Sequence, residues 1–321
     1  MSAPGRWTRW VNWVQERETG ETLALLRIAL GLAVIGTIST VVAHDLVPFL
    51  WLDAASGGYR EVAGHGFLYG IIGVTPTTVW GGVALGLLSG LLVTLGLGGR
   101  LPAFIALKAI QELTDLNGSA GGSYDALLTN ALWLLVLGDA TRTLSLDCYH
   151  RTGRWRDDTP ILAIPRRLFL FQLVLVYWST GAQKVSNYWT PFGGFSALYY
   201  ILQQPTWHRA DMAWVAWIYP LTQVMTAAVW LFELGAPLLL VGLWARRWPE
   251  SRLSNLARRL PLRGMFAVFG VGMHLGIEAL MNVGPFSFIS ISYYLALLWP
   301  SEARAALDRL TRAVSPKAAP G

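Results

Sequence analysis

Cysteine is almost absent from this chain. Cys148 is the only one among 321 residues, so no internal disulfide, cysteine-pair metal site or CxxC redox motif can form. Charge is scarce as well: Asp, Glu, Lys and Arg make up 14% of the sequence, against about 25% in a typical soluble domain. That shortage excludes an ordinary water-soluble globular protein. There is no HExxH zinc pair, and the glycine-rich stretch Gly96-Leu97-Gly98-Gly99-Arg100 lacks the spacing and the Lys-Ser/Thr ending of a phosphate-binding loop. Low-complexity segments and internal repeats are also missing. No cleavable signal is evident, because the N-terminal stretch is polar and the apolar run after it is long enough to span a bilayer.

What fills the sequence is apolar. Hydrophobic residues make up 54% and mean hydropathy is +0.43, with 16 Trp and 11 Tyr of the kind that gather where hydrocarbon meets headgroup. The expectation is an all-α integral membrane protein with about eight transmembrane helices in one bundle and no separate soluble domain. The apolar runs place these spans at about 22–43, 78–97, 101–116, 123–141, 166–186, 221–245, 264–282 and 285–299. Residues 1–21 then form an interfacial segment, 22–300 the transmembrane domain and 301–321 a cytoplasmic tail. Trp7, Trp10 and Trp13 recur at helical spacing beside Arg6 and Arg9, as in a helix lying in the interface plane. Gly82, Gly86 and Gly90 mark a helix-packing seam. An aromatic segment at about 187–219 either re-enters the membrane or lies on it.

The net charge of +6 does not point to nucleic acid, because the basic residues sit in short stretches between apolar runs. Alternate loops collect 20 of the 25 Lys and Arg, six of them within 142–167 and six within 246–263. The positive-inside rule then places both termini in the cytoplasm of a multi-pass cell-membrane protein.

Ionisable groups inside the spans are informative, since each costs about 2.5–3.5 kcal/mol at the bilayer centre. Lys108, Glu112 and Asp115 share one helix face and read either as a structural ion cluster, neutralising one another or Arg27, or as part of a substrate site. His274 and Glu278 are four apart, a spacing that serves packing, a proton relay or, with further ligands, a metal. Lys184 stands near the outer end of its span. It can snorkel to the headgroups or, in a dry pocket, act as a base.

Several stretches together resemble the HTTM (horizontally transferred transmembrane) family, which is related to vitamin K-dependent γ-glutamyl carboxylase. They are Leu26-Arg27-Ile28, Gly138-Asp139 with Ser145-Leu146-Asp147, and Tyr177 through Gly181-Ala182-Gln183-Lys184-Val185 to Trp189. Glu233 with Pro237, and His274 through Asn282-Val283-Gly284-Pro285-Phe286, complete the set. The resemblance covers about 20–300. It implies that Lys184 is the base that deprotonates a reduced quinone of the vitamin K or menaquinol type, with His274 as polar partner. In that family oxygen then converts the quinol into a strong base, a glutamate loses its γ-proton and CO2 adds. Arg27, Tyr124, Trp189, Glu233, Glu278 and Asn282 would line the substrate and cofactor site, which would open toward the outer face. No metal is expected. The implied partners are the bilayer, a lipid-soluble quinone or other lipid, and a peptide substrate or a subunit supplying an extramembrane domain, with no nucleic acid. Two features depart from the carboxylases: Gly121-Gly122 replaces the Asn-His pair before Ser123-Tyr124, and no large lumenal domain follows the last span. A non-catalytic helper in peptide maturation, export or lipid binding is the alternative. A secondary transporter, favoured by the polar helix at 101–116, is the third.

Overall fold

The computed structural model describes residues 5–60, 66–245 and 252–314. Almost all of the described secondary structure is helical, and the chain divides into two compact units, Met1–Phe169 with Leu298–Gly321, and Leu170–Leu297.

In the first unit, α1 (Arg6–Gln15) leads through a two-stranded antiparallel pair, Arg17 opposite Leu162 and Glu18 opposite Ile161, into α2 (Glu21–Ala43). Leu23, Leu26, Leu30, Val34 and Ile38 recur every three or four residues along α2, and each is buried, as an apolar face at helical period must be. Helix α3 (Pro76–Leu95) starts at a reciprocal Thr75–Thr78 capping box with Pro76 in its first turn. It stops at Gly96, whose φ of +68° suits a residue without a Cβ. The glycine seam foreseen on α3 packs against α2: a Cβ added at Gly90 would lie 2.9 Å from Val34, and one at Gly86 would collide with Ile38. Helices α4 (Leu101–Asp115), α5 (Ser123–Leu137) and the start of α6 (Ile164–Gln183) follow. Near the end of the chain Pro300–Val314 forms α11, whose Arg304 pairs with the buried Glu21 and with Asp158.

The second unit holds most of α6, then α7 (Tyr219–Gly235), α8 (Pro237–Ala245), α9 (Leu262–Leu280) and α10 (Phe286–Tyr294). The helix expected over 221–245 is two helices, broken after Gly235 because Pro237 has no N–H to continue the ladder. Residues 187–212 fold into short turns and one α-helix, Ala197–Leu202, with a small core of Leu202, Met212 and Val215, and a 3-10 helix over Ala213–Ile218 runs directly into α7. Of the basic stretch 246–263, residues 246–251 lie outside the described residues, and Arg252–Arg259 is helical.

Among the described residues three helices are long and apolar enough to cross a membrane: Glu21–Ala43, Pro76–Leu95 and Ala213–Gly235. Eight were expected. The shortfall is partly one of length, since α4 and α5 have 15 residues each and so reach about 22 Å, short of a hydrocarbon core of about 30 Å.

Candidate functional site

Tyr177 and Gly181 stand four apart on one face of α6, and Lys184, seven on from Tyr177, follows directly after the helix end at Gln183. Gly181 is the key to that face. A Cβ there would lie 2.8 Å from the Glu233 Cβ and 3.0 Å from the Leu234 backbone nitrogen, so only glycine lets α7 come this close. The approach brings Glu233 to the Lys184 ammonium, and the two form an ion pair with side chains 6% and 16% exposed. The α6 helix ends at Gln183, and the chain turns through Asn187–Trp189 so that the Trp189 ring lies 4.5 Å from Lys184 Nζ, a cation–π distance. Lys184 is held by a carboxylate and an aromatic ring.

One face-length down α6 lies a second polar group. The Tyr294 hydroxyl donates to the Tyr177 oxygen at 2.6 Å, and Tyr177 meets His274 Nε2 at 2.6 Å. Gly270 makes room for the Tyr294 ring, while Phe232 and Phe266 pack edge-on against Tyr177, with ring centres 5.2 and 5.8 Å away. The other ring nitrogen, Nδ1, is buried and has no hydrogen-bond partner among the described residues, and the same holds for Trp230 Nε1 and Ser287 Oγ in this unit. A buried polar group without a partner costs about 1–3 kcal/mol, so Nδ1 of His274 is a place where a ligand oxygen would be favoured.

The remaining expected site residues are placed elsewhere. Glu278 pairs with Arg209 at 2.7 Å, both side chains being more than 40% exposed, and not with His274. Asn282 is exposed and contributes its backbone N–H to the Trp207 carbonyl. Arg27, in the first unit, is 2% exposed and donates to the backbone oxygens of Leu144 (2.6 Å) and Ala140. It clamps the turn after α5 and does not neutralise the carboxylates of α4. There, Lys108 pairs with Glu112 at 2.9 Å and Glu112 accepts from the Leu68 N–H, while Asp115 is exposed, near enough to feel both charges but with no cation at ion-pair distance among the described residues. Asp115 sits at the last residue of α4, where the helix face turns out of the unit. Tyr124 lines a separate cavity of about 50 Å³ with Trp51 and Asp125, and Asp125 accepts from the Gly122 N–H at 2.7 Å.

Tyr177, Trp230 and Tyr294 were not singled out as site residues. The i, i+4, i+7 spacing of Tyr177, Gly181 and Lys184 was readable in the sequence. The convergence of Tyr294 on Tyr177 was not, since they come from different helices. Compared with known proteins, the chain matches no family model, no curated protein and no solved structure.

Proposed function

We propose that the chain is a multi-pass membrane enzyme of the carboxylase-like kind that its sequence resembles, acting on a lipid-soluble quinol, with both termini cytoplasmic and the site opening outward. The observation that carries this reading is the buried, partnerless Nδ1 of His274 at the end of the Tyr294–Tyr177–His274 chain. It fits an apolar ligand bearing hydrogen-bonding oxygens, in surroundings that Phe232 and Phe266 make aromatic. A bound quinol would supply reducing power toward O2, and CO2 would be the group added to a peptide glutamate.

The protein's own part is to hold and move protons. In the Lys184–Glu233 pair one proton can rest on Nζ or on the carboxylate without changing the net charge of the site, which keeps the transfer affordable in hydrocarbon. When it rests on Glu233, the Nζ lone pair is free to accept a proton. Trp189 covers the amine against water, and His274 orients a ligand oxygen through Nδ1. An extramembrane partner would present the peptide.

Purified protein in liposomes containing reduced menaquinone tests the reading through quinol-dependent oxygen consumption and incorporation of labelled CO2 into a glutamate peptide. Lys184→Arg is the decisive variant, because arginine keeps the ion pair with Glu233 yet cannot be deprotonated. Loss of turnover at unchanged melting temperature supports a base. A Lys184→Arg protein with the wild-type rate, or a wild type with no quinol-dependent oxygen consumption, favours the non-catalytic helper, in which the pair only holds α6 to α7.

A further inference from the structure

We infer that the first unit carries a second, unrelated binding site, for the headgroup of an anionic phospholipid, in the groove between the loop at 153–160 and α11. The groove has a volume of about 950 Å³, with Arg154, Trp155 and Arg156 on one wall and Leu307, Asp308 and Arg312 on the other.

Its charges do not cancel. Arg156 pairs with Asp308, and Arg304 takes Asp158 together with Glu21. Arg154 and Arg312 remain, one on each rim, both exposed and neither with a carboxylate at ion-pair distance among the described residues. Arg312 is steadied by its own helix, its Nε donating to the Asp308 carbonyl at 3.1 Å. Two guanidinium forks facing one groove match a phosphodiester. Trp155 adds an apolar wall: it is 53% exposed and stacks on Tyr149 with ring centres 5.0 Å apart.

Position selects a lipid over a soluble anion. Asp158, which lines the groove, shares Arg304 with Glu21, the first residue of the apolar helix α2. Leu144, which also lines the groove, gives its carbonyl to Arg27, six residues further along α2. At 1.5 Å per residue the groove thus lies within about 10 Å of the start of a span, the depth of the headgroup layer. The tryptophans of α1 in the same unit are exposed, Trp7 at 72% and Trp10 at 54%, and Arg167 fixes that helix through the Trp13 ring and carbonyl. They provide a second contact with the same layer.

The test uses the full chain in mild detergent with equal amounts of phosphatidylglycerol and phosphatidylcholine, counting retained lipid by native mass spectrometry. Phosphatidylglycerol should be retained preferentially. Arg154→Gln should weaken it about fivefold and the double variant with Arg312→Gln about 25-fold, the loss expected from one and two basic contacts at a membrane surface, with phosphatidylcholine unaffected. Both side chains are exposed, so the fold should survive, and an unchanged melting temperature checks this. Equal retention of the two lipids, or unchanged phosphatidylglycerol binding in the double variant, overturns the site. So does displacement by inorganic phosphate at the lipid's own concentration, which would assign the groove to a soluble anion.

Discussion

Glu233 and Glu278 each pair with a cation, yet their surroundings give the pairs unequal weight. The Glu233 side chain is 6% exposed and that of Glu278 43%. Removing one partner of a buried pair strands the other, at a cost of about 3–5 kcal/mol, whereas an exposed pair is worth about 0–1 kcal/mol. Glu233→Gln should therefore lower the melting temperature substantially and Glu278→Gln hardly at all, which thermal unfolding in detergent measures directly. Equal effects would show that Lys184 finds water when its partner is gone. Asp157 offers a residue-level pH prediction outside the spans. Hydrogen bonds from the Thr159 hydroxyl and N–H, with Arg151 close by, hold its carboxyl below the ordinary carboxylate range. A depressed pKa stabilises the fold above the unfolded value of about 3.9 and loses that contribution as pH falls through the folded value. The stability advantage of wild type over Asp157→Asn should thus be constant at neutral pH and shrink below about pH 4. An advantage that grows with acidity would contradict this sign. Lys184 and His274 stood out in the sequence because intramembrane ionisable groups are rare. Their partners did not, because no local pattern links residue 184 to 233 or 177 to 294.

Between elements, glycine decides how near two helices come. Gly31 on α2 lies against the Gly90 carbonyl of α3, a Cβ there falling 2.9 Å from that oxygen, while Gly36 on the same helix has nothing within 4 Å. Gly31→Val should force α2 and α3 apart and cost about 1–3 kcal/mol or more. Gly36→Ala should be neutral or stabilising by up to about 1 kcal/mol through lower chain entropy. Denaturant or thermal unfolding of the two variants separates a packing seam from a general dislike of substitution in α2. The Gly82, Gly86, Gly90 repeat was legible in advance as a seam, but its partner helix was not. The break between α7 and α8 was also written locally, in Pro237, and was overridden in the sequence reading by the continuous apolar run on either side of it. Asp115 marks the reverse case: the shared face of Lys108, Glu112 and Asp115 is real, but a face that starts buried can end exposed when its helix stops.

For the whole molecule, the proposed bilayer topology is directly testable. Cys148 is fully buried, so single introduced cysteines report without background. Phe192 is 92% exposed in the 187–219 segment, and Trp155 is 53% exposed in the basic 142–167 loop. If alternate loops follow the positive-inside rule, an impermeant maleimide added to intact cells should label Phe192→Cys and spare Trp155→Cys until the membrane is opened. The opposite pattern would invert the topology. Composition settled that the protein is strongly apolar, at 54% hydrophobic and 14% charged residues, and the length of its apolar runs pointed to helices. Periodicity placed most of the helices, and the cost of burying charge picked out the residues to watch. The sequence could not say that the chain forms two compact units, that the end of the chain packs as a helix through Arg304 and Glu21, or that Lys184 is held by Glu233 while His274 is left with an unpaired nitrogen. Those are contacts between residues far apart along the chain. They depend on how closely helices approach, which small residues such as Gly181 permit but do not by themselves specify.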